Sequence, residues 1–393
     1  MITRKGVDFK MFKKTITAIL AATMIAGGVL SGAASAAPGK DLRIIPVIVN
    51  GQKVKFPDTE PYINTDGRTM VPVRFISEKL GANVKWEEAT STVVIHYSSK
   101  EIRMSIGSKT VTLDGQPTEL DTAAEKYDGR TMVPLRFVSE VLDSTVVWDE
   151  GARAVRVTDG AYQAKLDAGK VALDPWGREY SKTWSARWMK LTDLESAGFY
   201  KFYDHEFRNS RAFIEKRPTE SYKEIADVLG NKIRNYYAVQ LNVDYRTISA
   251  DKLSEAMMNS FSGDVTKNAY ITARNKEFIK GYVNWVKKNK VIAKGYADPE
   301  LSTVYESGSL NWFPTRFKFM IISANDSSQT FLDNWDVSNS SDSFKLKKGV
   351  WYDGYSVIRM TSNVANSTWG ESQGIRYLEN MFYINKYFYN ILE

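Results

Sequence analysis

The sequence predicts an α+β protein: a duplicated small β-hairpin/helix/β unit whose two copies share a core, followed by a separate α+β domain with helices on an antiparallel sheet. Three observations carry this. "DGRTMVPVRFISEKLG" (66–81) returns 62 residues later as "DGRTMVPLRFVSEVLD" (128–143), with twelve of sixteen positions identical. The repetition stops near Gly160 and the composition shifts, eight of the ten tryptophans lying beyond it. The later half then alternates between helical and strand-like apolar spacing.

The first 36 residues stand outside the fold. A basic start (Arg4, Lys5, Lys10, Lys13, Lys14) leads into the uncharged run TITAILAATMIAGGVL, then to Ala34-Ser35-Ala36, a small-x-small cleavage pattern. This is the layout of a secretory signal, with Ala37 as the expected mature N-terminus. The run is too rich in Ala, Gly and Ser to make a good membrane span. The chain carries +7, but residues 1–36 account for +4, leaving +3 for the mature chain. A balance that small over this length argues against a nucleic-acid binder. There is no cysteine, so disulfides, thiol catalysis and thiolate metal sites are excluded. The expected product is secreted or held at the cell envelope without a transmembrane segment.

Each unit reads the same way. Asn50-Gly51 and Asp114-Gly115 sit between alternating apolar runs and predict tight hairpins, because both turn residues must take positive φ. Asp66-Gly67 and Asp128-Gly129 turn the chain again into a short Thr-Met-Val strand. Pro72 and Pro134 suit the first helical position. Val73, Ile76 and Leu80, like Leu135, Val138 and Leu142, form one apolar stripe. Gly81 fits a left-handed helix cap, and Asp143 is a weaker substitute. Two short strands follow, carrying Trp86 and Trp148. A helix of two to three turns is unstable alone, and one such unit of about 50 residues buries too little to stand singly. Duplication answers both shortages.

These residues carry a resemblance. Over residues 44–158 the pattern of hairpin, DGRTMVPxRFxSExLG, xVxW and strand resembles the copper amine oxidase N-terminal-like, or stalk, domain, common in exported proteins of Gram-positive, spore-forming bacteria. The motif positions are Asp66, Gly67, Arg68, Pro72, Glu78 and Trp86 in one copy, and Asp128, Gly129, Arg130, Pro134, Glu140 and Trp148 in the other. Asp143 departs from the glycine usual in the family. The resemblance implies a spacer or adhesion unit joined to an unrelated partner domain, and it does not imply oxidase chemistry. Copper amine oxidases need three histidine ligands and a tyrosine within Asn-Tyr-Asp/Glu. This chain has only His96 and His205, and its one Asn-Tyr pair, Asn235-Tyr236, is followed by Tyr237. No cofactor is expected. Arg74 and Glu78, like Arg136 and Glu140, stand at i, i+4 and read as structural ion pairs rather than a ligand site.

Residues 159–180 read as a connector and 181–393 as an α+β domain of unrecognised family. Helical spacing runs from Thr219 to Arg234, and Tyr237, Val239, Leu241, Val243 and Tyr245 alternate as a half-buried strand. Helices are expected from Ser249 and over Arg274–Lys290, with Phe278, Tyr282 and Trp285 on one face. "TRFKFMIIS" reads as a strand and "KKGVWYDGYSVIRM" as a hairpin turning at Asp353-Gly354. A last helix passes through Ile375, Leu378 and Phe382.

Catalytic signals are weak. "GESQG" (370–374) lacks a buried strand before Ser372 and any histidine after it, both of which a hydrolase elbow needs. His205, between Asp204 and Glu206, cannot build a zinc site unaided. The acidic loop 325–343 (Asp326, Asp333, Asp336, Asp342) lacks EF-hand spacing and glycine. The basic "KKNKVIAK" (287–294) complements a helix C-terminus. Trp312, Trp335, Trp351, Tyr352 and Tyr355 fall in or near expected loops and hairpin tips and are the candidate ligand-binding aromatics, although such rings more often fill cores. The function expected is a non-catalytic envelope or secreted protein, a stalk-like module presenting its C-terminal domain to cell-wall polysaccharide or another surface protein. The alternative is an exported glycan-active hydrolase using an Asp/Glu pair about 5–10 Å apart in an aromatic cleft.

Overall fold

The hairpins form where the turn residues require them. In the computed structural model, β1 (Val47–Val49) and β2 (Gln52–Lys53) are joined by Asn50 (φ 49°) and Gly51 (φ 75°), with Val49 opposite Gln52. The structure describes residues 43–180, 191–194, 220–307, 310–326, 347–361, 372–375 and 390–392. All belong to one compact unit, Lys40–Glu393.

After β2, β3 (Tyr62–Ile63) and β4 (Thr69–Pro72) lead into α1 (Val73–Lys79), then β5 (Asn83–Glu87), β6 (Thr92–Tyr97) and β7 (Lys100–Ser105). The second copy runs β8 (Thr110–Leu113), β9 (Gln116–Glu119), β10 (Glu125–Tyr127), β11 (Arg130–Pro134), α2 (Leu135–Val141), β12 (Ser144–Asp149) and β13 (Ala154–Asp159). Pro72 and Pro134 are the last residues of their strands and cap the helices from outside, with ψ of 115° and 117°. They therefore stand one residue earlier than expected, still extended because each pairs across a ladder. Gly81 (φ 83°) closes α1: its N–H bonds Glu78 O (3.0 Å) and Ala82 N–H bonds Ser77 O (2.8 Å), a Schellman cap. Asp143 takes the same left-handed turn at φ 56°.

The two copies are joined about a local two-fold. β4 and β11 pair antiparallel with Val71 opposite Val133, Met70 opposite Pro134 and Pro72 opposite Met132. Val71 thus meets its own counterpart, and Met70 and Pro72 each meet the counterpart of the other, the isologous contact of a symmetric dimer written into one chain. Val71, Val133, Ile76, Val138, Leu80 and Leu142 lie in one buried cluster, so each short helix covers a core supplied by both copies. Arg68 bonds Asp121 and Arg130 bonds Asp58 (2.7 Å from Nε), each copy's arginine reaching the loop before the other copy's turn. The symmetry breaks at the flanks. β1 lies directly beside β13, parallel, whereas β7 is inserted between β6 and β8. In the second copy, the chain after β13 instead enters α3 (Gly160–Asp167), capped by Asp159, which accepts from Tyr162 N–H (2.7 Å).

The second half contains α4 (Glu220–Gln240), α5 (Ala250–Met258), the short α6 (Gly263–Thr266) and α7 (Ala269–Lys288). These pack on an antiparallel sheet of β14 (Ile292–Pro299), β15 (Tyr305–Ser307), β16 (Leu310–Ser323), β17 (Trp351–Thr361) and β18 (Asn390–Leu392). Three expectations are corrected. Tyr237–Gln240 continues α4: Leu229, Ile233, Tyr237 and Leu241 are buried at successive intervals of four, and this helical stripe outweighs the alternation of period two. Asp353-Gly354 is no turn but the middle of β17, with Gly354 opposite Phe317 and the Asp353 carboxylate held by Arg316. Ile375 makes β-bridges to Phe261 and Met360 rather than lying on a helix, and Leu378 and Phe382 fall outside the described residues. On α7 the buried face is Ile279, Tyr282, Val283 and Val286, with Phe278 and Trp285 flanking it half-buried.

Candidate functional site

Among the described residues, a concentration of charge, most of it buried, sits where the duplicated half meets the antiparallel sheet. The hairpin β1–β2 and the loop after it supply Lys53, Lys55 and Glu60. The segment after α3 supplies Arg178, and β14, β16 and β17 supply Asp298, Glu300, Arg316, Lys318 and Asp353. Strand alternation places Arg316 and Lys318 on one face of β16, towards the first half, while Phe317 and Phe319 fill the helix-facing core.

The contacts are direct. Lys318, 1% exposed, donates to the Phe56 carbonyl (3.0 Å) and to Glu60 (3.1 Å), with the Trp351 ring 4.9 Å away. Arg316 pairs with Asp353 and stands 3.8 Å from Glu60. Lys53 bridges Asp298 (2.5 Å) and Glu300 (3.2 Å). Arg178 joins Glu300 (2.5 Å) to Asp193 (2.6 Å). Arg234, from α4, reaches the Ala152 carbonyl (2.9 Å) and lies 3.5 Å from Asp298. Around this network Ile48, Ala152, Ala154 and Trp176 enter the same apolar core as α4 and the sheet.

Electrostatics follow from burial. Burial pushes the Glu60 carboxyl up and the Lys318 ammonium down, because neither charge retains water. Burial would also raise Glu300, but Lys53, Arg178 and Lys55 overcome it and hold that carboxyl at about 2. Burial also drives the Tyr355 hydroxyl well above its ordinary value, with Glu300 adding to the effect; this hydroxyl donates to Glu300 (3.3 Å). Asp174 and Asp227 are raised by burial too. Asp174 accepts from the Trp176 and Arg178 N–H groups, both at 2.9 Å, and Asp227 accepts from Trp176 Nε1 (2.7 Å) and Lys223 (2.6 Å). A general acid needs a raised pKa and access to substrate. Glu300 lacks the first, and Glu60, at 3% exposed, lacks the second. The arrangement binds two halves together rather than moving a proton.

The residues singled out from sequence lie elsewhere or serve packing. Tyr352 is 0% exposed and stacks on Phe319. Trp351 is half-buried beside Lys294 and Lys318. Trp312 stacks on Tyr305 (5.8 Å) with Arg359 over its ring. Trp335, His205, Asp333, Asp336 and Asp342 are outside the described residues. Arg74 and Glu78 approach to 3.8 Å in the open, as the i, i+4 spacing predicts. Trp86 and Trp148 each donate from Nε1 to the glutamate two residues on, Glu88 and Glu150. Ser372 offers its carbonyl to Gly263 N–H (2.7 Å). The junction itself went unread, since Lys318 and Glu60 are 258 residues apart. The available signal was two charges, Arg316 and Lys318, inside the otherwise apolar run RFKFMII.

Among the described residues, no group of three or more His, Asp or Glu is placed to hold a metal ion, and no helix is long and apolar enough to cross a membrane. Comparison with curated proteins and with solved structures finds no match. A family model does match: the copper amine oxidase N-terminal domain, over residues 48–157, which spans β1 through β13. That segment, with its paired hairpins and shared core, is a copper amine oxidase N-terminal domain, a non-catalytic accessory module.

Proposed function

We propose that the protein is exported and acts at the cell envelope as a non-catalytic stalk-like module, residues 44–158, that presents residues 181–393 for binding or adhesion to cell-wall polysaccharide or a surface protein. The observation that carries this reading is the junction. Lys53, Arg316 and Lys318 tie the accessory module to the sheet through buried ion pairs, Lys53 with Asp298 and Glu300 and the other two with Glu60, which suits a spacer that must hold its partner at a fixed attitude. The same network engages Asp298, Glu300 and Asp353, so these carboxylates are not free to serve as a hydrolase pair. Residues 1–36 supply the export signal in this reading.

The test is fractionation of a producing cell with mass spectrometry of the N-terminus. A chain beginning at Ala37, recovered with cell walls and releasing no reducing ends from polysaccharides, is the expected result. A chain beginning at Met1 in the cytoplasm defeats the export reading. Release of sugar that is lost on removing one carboxylate favours the hydrolase instead.

A further inference from the structure

The accessory module carries a groove of about 260 Å³ between α1 and β5 of the first copy and the β10–β11 hairpin of the second. Four of its lining side chains are cationic, Arg74, Lys85, Lys126 and Arg130, and none is acidic. Arg130 is engaged by Asp58, and Arg74 lies 3.8 Å from Glu78. Lys85 and Lys126 are exposed and make no ion pair with the described residues. Trp86, which also lines the groove, is 37% exposed, its ring fixed by the bond from Nε1 to Glu88.

The local two-fold supplies an internal control. Lys85 precedes Trp86 on β5, and Val147 precedes Trp148 on β12, 62 residues on. Lys126 pairs with Thr131, while Ile63 pairs with Thr69, the residue equivalent to Thr131. The same fold therefore accepts valine and isoleucine at the two positions where the first groove has lysine. Val147 is left 43% exposed there. The cations are thus no requirement of the architecture, and an unpaired lysine couple beside an open tryptophan face points to a ligand with negative charge and a flat apolar surface.

We propose that this groove binds an acidic polysaccharide, its carboxylate or phosphate groups paired with Lys85 and Lys126 and one sugar ring resting on Trp86. The volume lies below the roughly 300–1,000 Å³ of a pocket that encloses a small molecule, which suits a stretch of an extended polymer. A single aromatic with short cationic reach fits a charged sugar better than a nucleic-acid strand, which stacks successive bases along a basic track. The site lies on the module itself and so goes beyond the reading above, in which residues 181–393 do the binding, and its test does not depend on export.

The experiment is calorimetric titration of the full chain with tetragalacturonic acid, a short poly(N-acetylglucosamine 1-phosphate), cellotetraose and dT8. The expected result is binding of one or both acidic glycopolymers, weakened by salt, with cellotetraose and dT8 much weaker. The two acidic probes distinguish carboxylate from phosphate as the group recognised. Lys85→Val with Lys126→Ile turns the groove into its twin, which the second copy shows to be compatible with folding, and affinity should fall roughly tenfold. Trp86→Ala should weaken binding separately. Unchanged affinity in the lysine variant, equal binding of cellotetraose or dT8, no effect of Trp86→Ala in a variant with wild-type thermal stability, or no binding of either acidic probe would overturn the proposal. Binding by a chain that never leaves the cytoplasm would remove only the envelope role.

Discussion

Replacing Lys318 by methionine tests the junction at its centre. Methionine keeps most of the volume and removes only the charge. The Lys318 side chain is 1% exposed, donates to the Phe56 carbonyl at 3.0 Å and pairs at 3.1 Å with Glu60, which is 3% exposed. Without it Glu60 retains only Arg316 at 3.8 Å, and the carbonyl loses this donor. Breaking one side of a buried pair costs about 3–5 kcal/mol, and the remaining arginine places the expectation at about 3 kcal/mol, at the lower end of that range. Removing both charges in Lys318→Met/Glu60→Gln leaves no stranded ion, so the double variant should be more stable than the sum of the singles by about 1.5 kcal/mol or more. Urea unfolding followed by tryptophan fluorescence measures all four chains. A single-variant loss below about 1 kcal/mol, or additivity within about 0.5 kcal/mol, would show that the pair does not couple the two halves.

Glu300 sets a pH dependence. Its carboxyl, held at about 2 against 4.5 in the free state, adds stability that is complete above pH 4.5 and is lost as the pH falls from there through 2, on the order of 3 kcal/mol. The stability gap between the wild type and Glu300→Gln should shrink over that window, and a gap independent of pH would contradict the assignment. Met70→Ala, at 0% exposure beside the local two-fold, should cost about 2–5 kcal/mol in the same assay. Gly81→Ala and Gly295→Ala separate two reasons for glycine. At Gly81 (φ 83°) a Cβ meets nothing within 4 Å, so only backbone strain of about 1–2 kcal/mol is expected. At Gly295 a Cβ would lie 2.7 Å from Phe319 Cβ and 2.9 Å from the Lys318 carbonyl, so the ladder must shift, at about 1–3 kcal/mol. Thermal unfolding of both variants checks the comparison.

Much of the first half was legible because its signals are local. Asn50-Gly51, Asp114-Gly115 and Asp128-Gly129 fix their turns through φ alone, and the left-handed φ of Gly81 and Asp143 ends each helix where the apolar stripe stops. The second half misled where local and non-local preferences differ. Tyr237–Tyr245 alternates like a strand, yet Tyr237 and Leu241 continue the face that Leu229 and Ile233 begin. Asp353-Gly354 reads as a turn until Lys318 and Phe317 lie opposite it and Arg316 takes the carboxylate. The candidate aromatics were placed by expected loops, whereas Tyr352 sits in the centre of the sheet's core.

The amino-acid sequence by itself determined the paired units, their turns and the need for a common core, since a short amphipathic helix and a tight hairpin are dictated by residues a few positions apart. Tertiary structure alone decided that Val71 meets Val133, that β7 separates β6 from β8, and that Lys318 finds Glu60. Those contacts join groups far apart in the chain, and a charge in an apolar run reveals its partner only when folding removes both from water and leaves each as the other's replacement for solvent.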